Sequence, residues 1–150
     1  VLVIIVLCIG LVFLARDRNG NRANIFFFIG AALVLSRLVA GVLKNIFDRS
    51  RPYVFVNDNS VNDFFYTGGS SFPCGHAAHF FGLFLPLMVL FPRYKWALLI
   101  IPVFVAVQRV IANDHYISDV LGGALIAVLF TYIFQQLFKI QPLQGAKSSI

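Results

Sequence analysis

Five apolar segments separated by polar turns constrain the fold of this chain more than any other feature of its sequence. A helix that crosses the hydrocarbon core of a bilayer needs about 20 predominantly apolar residues. Segments that reach or approach this length are 1–15, 24–43, 76–90, 97–112 and 117–138. Backbone polar groups in hydrocarbon must be satisfied within the segment, so these runs predict helices and not open strands. The chain is therefore predicted to be an all-α, multi-span transmembrane helical bundle.

The amino-acid composition supports this class. Hydrophobic residues make up 59% of the chain and charged residues 12%, against about 45–50% and about 25% in soluble domains. The net charge of +6 comes from basic residues between apolar runs, which is typical of membrane topology signals and not of a nucleic-acid surface. The two cysteines, Cys8 and Cys74, do not suggest a disulfide framework. No repeat divides the sequence, so residues 1–150 are predicted to form one domain.

The distribution of basic residues predicts the orientation of the bundle. A long polar loop over residues 45–71 lies on one face, and most basic residues lie on the other. These are Arg16, Arg18, Arg22, Arg93, Lys95, Lys139 and Lys147. Lys and Arg are enriched in cytoplasmic loops, so the loop is expected to face outward, toward a periplasm or lumen.

Three polar stretches, residues 44–52, 73–76 and 109–119, are predicted to end spans on this outer face. Ionisable groups near hydrocarbon are costly, so their convergence indicates function. Lys44, Arg51 and Arg109 combine a point charge with planar forks, a set suited to the oxygens of a phosphoryl group. The alternative for each cation is an ordinary interfacial anchor.

His115 and Asp119 are four residues apart, so a helical turn places them on one face. A carboxylate that holds one ring nitrogen fixes the tautomer and makes the other nitrogen a nucleophile. The alternative is a structural hydrogen bond. Asp114 is expected to point elsewhere and to be a solvated loop residue.

The sequence Pro73-Cys74-Gly75-His76 lies where the loop becomes a helix. Glycine permits close backbone approach, and the first N–H groups of a helix favour an anion such as phosphate. His76 is then placed to protonate a leaving oxygen, a general-acid task that suits imidazole. His79 is assigned to packing.

Together these stretches resemble the signature of the type 2 phosphatidic acid phosphatase (PAP2) superfamily, K-x6-RP, PSGH and SR-x5-H-x3-D. Lys44 and Arg51-Pro52 match the first motif, Pro73 to His76 the second, and Arg109, His115 and Asp119 the third. The chain departs from the pattern at Cys74 and Gln108, where the family has Ser. Members usually have six spans, so one span is expected to be missing at the start of this chain.

The resemblance implies a metal-independent hydrolase acting on phosphoric esters, in which His115 forms a phosphohistidine. Asp119 would orient His115, and His76 would protonate the leaving oxygen. The residues expected to bind the substrate phosphate are Lys44, Arg51, Arg109, Cys74 and Gly75. No set of Cys, His and carboxylates has metal-ligand spacing, so neither a metal nor another cofactor is predicted.

The membrane scaffold indicates a lipid-borne substrate, and a bacterial envelope lipid such as lipid A is favoured. Phosphatidylglycerophosphate, phosphatidic acid and undecaprenyl pyrophosphate remain alternatives. The predicted location is the bacterial inner membrane, with the active site facing the periplasm.

Five aromatic residues are candidate contacts for the acyl chains of the substrate: Phe64, Phe65, Tyr66, Phe80 and Phe81. The alternative for these residues is anchoring at the membrane interface. A non-catalytic protein that binds or transports a phospholipid is the alternative class, whereas a related haloperoxidase would be soluble.

Overall fold

The computed structural model describes residues 21–57, 65 and 68–143, and the regular elements in these residues are all helices. The long helices are connected by short segments, except between residues 57 and 75. Their bounds are α1 Asn21–Phe47, α2 Pro52–Asn57, α3 Gly75–Leu90, α4 Lys95–Ile111 and α5 Ile117–Leu137, with a 3₁₀ turn at Pro92–Tyr94. The prediction of an all-α fold is therefore confirmed.

Four of the five predicted spans correspond to α1, α3, α4 and α5. The first predicted span, residues 1–15, lies outside the described residues. Three segments in the described part of the chain are long and apolar enough to cross a membrane: Ala23–Val54, Pro92–Ile111 and Ile117–Leu137. Helix α3, with 16 residues, is about 24 Å long at 1.5 Å per residue, which is shorter than the hydrocarbon core of about 30 Å.

The short helix α2 was not predicted, because it lies within the polar loop assigned to residues 45–71. Pro52 begins it, and proline suits a first helical position because the missing N–H would have no partner there. The backbone N–H of Tyr53 donates to the carbonyl of Asn113 at 3.2 Å. This bond ties α2 to the turn that carries His115.

Helix α3 lies at the centre of the bundle and packs against α1, α4 and α5. Small residues let the helix axes approach closely. A Cβ atom at Gly123 of α5 would lie 3.0 Å from the Cβ of Ala77 and would collide with the carbonyl of Cys74. The N–H of Cys74 donates to the carbonyl of Asp119 at 2.8 Å. The first turns of α3 and α5 are thus locked together.

The outer faces of α4 and α5 carry large exposed apolar side chains. Eight of them are between 63% and 74% exposed: Trp96, Ile100, Phe104, Ile111, Ile117, Leu121, Leu125 and Leu137. An apolar surface of this extent is unusual on a soluble monomer. These faces suit contact with lipid chains, in agreement with a membrane protein.

Successive long helices run in opposite directions, so four helix ends meet at one face of the bundle. Helices α1 and α4 end there, and α3 and α5 begin there. Asp48, with a φ of +42°, turns the chain as it leaves α1. The three polar stretches of the sequence are therefore brought to the same end, as predicted.

Candidate active site

A cavity of about 280 Å³ lies at this end of the bundle. Basic and imidazole side chains dominate its wall. The lining residues are Arg37, Lys44, Arg51, Gly75, His76, His79, Arg109 and His115. Six of the eight predicted site residues line it, and the other two, Cys74 and Asp119, are fully buried beside His115. A cavity with this charge is suited to a phosphate group.

His115 lies in the turn between α4 and α5 and is 3% exposed. Its Nδ1 is 3.5 Å from Oδ2 of Asp119 and 3.4 Å from Oγ of Ser71. Since Nδ1 faces the carboxylate, Nε2 is the nitrogen left for a reacting phosphorus. Burial lowers the pKa of His115, but hydrogen bonds with Asp119 and Cys74 raise it by more, so the net shift is upward. A more basic imidazole is a better nucleophile.

Besides His115, three groups hold Asp119, and none of them was predicted. Ser71 Oγ donates to Oδ2 of Asp119 at 2.5 Å, and the N–H of Tyr116 donates to the same oxygen at 2.9 Å. Arg49 donates from Nη1 to Oδ1 at 2.7 Å. The carboxylate is therefore oriented from both sides, which fixes the ring of His115.

Arg49 is one of the functional candidates that sequence reasoning missed. Its Nη1 also donates to Oγ of Ser118 at 2.7 Å, and its guanidinium carbon lies 4.1 Å from the centre of the Tyr116 ring. Arg49 and Arg51 belong to the same basic stretch, yet Arg51 lines the cavity and Arg49 contacts the carboxylate behind it. The basic stretch indicated that arginines lie near the site, but the sequence did not show which of them faces the cavity and which contacts Asp119.

Asp114 is a loop residue, as predicted, but the prediction that it is solvated and points away from the site was wrong. Asp114 lies 2.7 Å from Nη2 of Arg109 and 3.8 Å from Nη1 of Arg51, and its side chain is 24% exposed. On a continuous helix Asp114 would point away from His115, but the chain turns at Asn113 with a φ of +55°. This turn directs Asp114 toward both arginines, so it orients two of the cavity's cations.

Arg37 adds a fourth cation to the cavity wall. It lies seven residues before Lys44 in α1, so the two share a helix face. That spacing was a usable signal in the sequence. A Cβ at Gly75 would lie 2.9 Å from Nη1 of Arg37, so the glycine leaves room for this guanidinium beside the first turn of α3. Lys44 Nζ donates to the carbonyl of Ser70.

Cys74 caps α3 beneath the cavity wall. Its Sγ accepts a hydrogen bond from the N–H of Ala77 at 3.4 Å. Burial raises the pKa of the thiol, but hydrogen bonds with His115 and the Ala77 N–H lower it by more, so the net shift is downward. A direct contact between Cys74 and phosphate stays a prediction. Gln108, the other departure from the family pattern, is exposed on α4.

Possible metal-ligand atoms of Cys74, His76 and His115 all lie within 4.8 Å of one another. Sequence spacing did not indicate this group, because His115 comes from a different part of the chain than the other two. The group unites the predicted nucleophile, the predicted acid and the thiol in one place.

A second, wholly apolar groove of about 400 Å³ lies among α3, α4 and α5. Phe81, one of the predicted acyl contacts, lines it together with Val107, Ile111 and Ile117. The last two flank the turn that carries His115, so the groove reaches the level of the cavity. Among the other candidates, Phe80 packs against His79 and Phe65 lies beside Arg49, while Phe64 and Tyr66 lie outside the described residues.

Comparison with known proteins places this geometry in a family context. A family model described as the PAP2 superfamily matches residues 25–142. A lipid A 1-phosphatase from Rhizobium johnstonii is 32% identical over 143 residues, covering 86% of this chain and 59% of the relative. Another from Rhizobium etli is 34% identical, covering 73% of this chain and 50% of the relative. An undecaprenyl-diphosphatase from Sulfolobus acidocaldarius is 31% identical, covering 77% and 58%.

The chain thus spans between one half and three fifths of the length of these curated relatives. No solved structure gives a significant match. The family match covers all three polar stretches, including every residue of the cavity wall.

Proposed function

This chain belongs to the PAP2 superfamily, and from that premise we propose that it is a phosphatase that hydrolyses a phosphate ester on a bacterial envelope lipid. The observation that carries the proposal is the cavity lined by four cations and by His115, whose ring is paired with the buried Asp119. Cations suited to phosphoryl oxygens occur beside a nucleophile in one enclosed space. An anion-binding protein without catalytic function would need the cations but not the oriented histidine.

In the proposed reaction, Nε2 of His115 attacks phosphorus and the bond to the lipid oxygen breaks. His76 donates a proton to that oxygen, so the lipid leaves as an alcohol. Water then attacks the phosphohistidine and releases inorganic phosphate and the free histidine. Arg37, Lys44, Arg51 and Arg109 would stabilise the charge on the transferring group, which is the main requirement in phosphoryl transfer. No step requires a metal ion.

Lipid A is the substrate that we favour, because two relatives above 30% identity are named lipid A 1-phosphatases. The apolar groove supports a lipid-borne substrate, since it offers an acyl chain a path beside the cavity. The similarity to an undecaprenyl-diphosphatase keeps the pyrophosphate of that lipid as the second candidate.

We also propose that the cavity opens on the periplasmic side of the inner membrane. Arg93, Lys95 and Lys139 lie near the end of the bundle opposite the cavity, where α3 and α5 end and α4 begins. Basic residues near span ends favour the cytoplasmic side.

The decisive experiment is phosphate release by the purified protein in detergent, with EDTA present. The panel contains lipid A, undecaprenyl diphosphate, phosphatidylglycerophosphate and phosphatidic acid. We expect release from lipid A at a rate that EDTA does not reduce, and inhibition by vanadate, which mimics five-coordinate phosphorus. Binding of these lipids without any phosphate release would favour the transport class, and activity that requires added Mg²⁺ would contradict the metal-independent mechanism.

The apolar groove gives a second prediction, for the variant Val107→Phe. Val107 lines the groove and is 50% exposed, so a phenyl ring there would narrow the path for an acyl chain. Mismatches in apolar pockets change specificity by about tenfold or more. We expect kcat/KM for a long-chain lipid phosphate to fall about tenfold, and the rate on a short water-soluble phosphate ester to change little.

The matched control is Val128→Phe, because Val128 is 49% exposed and lies in a different groove, toward the other end of α5. Both rates should be close to those of the unchanged protein. Equal losses on both substrates, or equal losses in both variants, would show that the groove does not hold the acyl chain.

A further inference from the structure

Cys74, His76 and His115 lie close enough together to bind a metal ion, which the proposed phosphatase mechanism does not need. One sulfur and two imidazole nitrogens lie within 4.8 Å of one another. In a tetrahedral zinc site, with Zn–S of about 2.3 Å and Zn–N of about 2.0–2.1 Å, ligand atoms lie about 3.4–3.6 Å apart. The three atoms therefore need to move by about 1 Å to share one ion.

The surroundings of these atoms suit a metal in two respects. Nδ1 of His115 faces Asp119 at 3.5 Å, which leaves Nε2 to bind, and a carboxylate behind a histidine ligand is the usual arrangement at zinc sites. His76 is exposed and lines the cavity, so an ion in the cavity meets this imidazole directly, and the buried sulfur of Cys74 lies within 4.8 Å of the imidazole's ligand atom.

The charge of the cavity limits which ions can bind. Four cationic side chains line the wall, and they repel a divalent ion. A thiolate offsets part of this repulsion, because it carries a negative charge and binds zinc strongly, whereas magnesium and calcium prefer oxygen ligands. An ion held by these three atoms would keep a fourth coordination position, and the four cations of the cavity wall would stabilise hydroxide or another anion there.

We propose that Cys74, His76 and His115 form a zinc-binding site, and that zinc bound there inhibits the enzyme by occupying Nε2 of His115. The bound ion removes the nucleophile and the general acid together. The thiol of Cys74 is essential to the proposed site, since a hydroxyl in its place would be a poor zinc ligand. The inhibition rests on the proposed phosphatase function, whereas the binding of the metal does not.

Metal binding is tested without an activity assay by titrating the Cys8→Ser protein with Co²⁺ in place of zinc. The chain has two cysteines, so a sulfur-to-cobalt absorption band in this variant can come from Cys74 alone. We expect the band to saturate at one Co²⁺ per chain and to disappear when Zn²⁺ is added. Absence of the band overturns the proposal.

The histidine ligand is tested by adding His76→Gln to the Cys8→Ser protein. Loss of an outer partner of a metal ligand already costs about 10–100-fold in affinity, so loss of the ligand itself should cost about 100-fold or more. His79→Gln is the matched control and should bind Co²⁺ as tightly as its parent. Equal affinity of the His76 and His79 variants would overturn the assignment of the ligands.

Inhibition is measured as phosphate release against Zn²⁺, with a phosphine reductant, because thiol reductants bind zinc. Each rate is divided by the variant's own rate in EDTA. We expect Cys74→Ser to need about 100-fold more Zn²⁺ for half inhibition, and Cys8→Ser to match the unchanged protein. Equal sensitivity of Cys74→Ser and Cys8→Ser overturns the proposal. If the unchanged protein releases no phosphate in EDTA, the phosphatase function fails, and the cobalt titration still decides the metal site.

Discussion

The variant His115→Asn is expected to lower kcat for phosphate release on the order of 10⁴-fold or more, the scale seen when a nucleophile or its base is removed from an enzyme. Asparagine has no imidazole nitrogen that can form the phosphoryl intermediate. The four cations of the cavity wall remain in place, so binding of the lipid phosphate should be retained. The measurement is phosphate release from the preferred lipid, together with a separate binding assay.

A comparison variant for His115→Asn is His79→Asn. His79 lines the same cavity, but the carboxylate of Asp119 orients the ring of His115 and not that of His79. We expect the loss in the His79 variant to be smaller than about tenfold, as for residues outside the reacting group. Rapid quenching should trap an acid-labile phosphoprotein in the unchanged protein and none in His115→Asn. A phosphoprotein of normal amount in His115→Asn would identify a different nucleophile.

Motif spacing predicted well which distant residues converge, because this convergence depends on helix geometry and on the lengths of the spans. Lys44, Gly75, His76, Arg109 and His115 come from four helix ends or turns, and all line one cavity. The apolar runs predicted the number and order of the long helices among the described residues, and the antiparallel arrangement of these helices brings their polar ends together.

Side-chain partners were predicted less well, because they depend on turns of the backbone that the sequence pattern does not specify. Asp114 pairs with Arg109 and Arg51, since a left-handed residue at Asn113 redirects the chain after α4. Ser71 contacts Asp119 although 48 residues separate them. No periodic pattern in the sequence could have indicated either contact.

The two arginines of the first motif provide the second large prediction. Arg51 lines the cavity, and loss of a donor that stabilises transition-state charge typically costs about 10²–10³-fold. We expect Arg51→Ala to reduce kcat/KM by about that factor. Its ion pair with Asp114 is long, at 3.8 Å, and partly exposed, so the melting temperature in detergent should change little.

Arg49→Ala should behave differently, because Arg49 lies behind the cavity and pairs with the fully buried carboxylate of Asp119 at 2.7 Å. Removing one partner of a buried ion pair costs about 3 kcal/mol or more, so the melting temperature should fall clearly. Asp119 keeps its bonds from Ser71 and Tyr116 but loses one side of its support, so kcat should fall about 10–100-fold with little change in KM.

Arg49→Lys separates positioning from folding. A lysine restores the charge beside Asp119, so most of the thermal stability should return. The bonds to Asp119 and Ser118 both leave Nη1, so an ammonium group can supply them. It cannot reproduce the planar guanidinium that lies over the Tyr116 ring at 4.1 Å, so kcat should recover only in part. If Arg49→Ala instead raises KM and leaves the melting temperature unchanged, Arg49 contacts the substrate directly, and the division of roles between the two arginines is wrong.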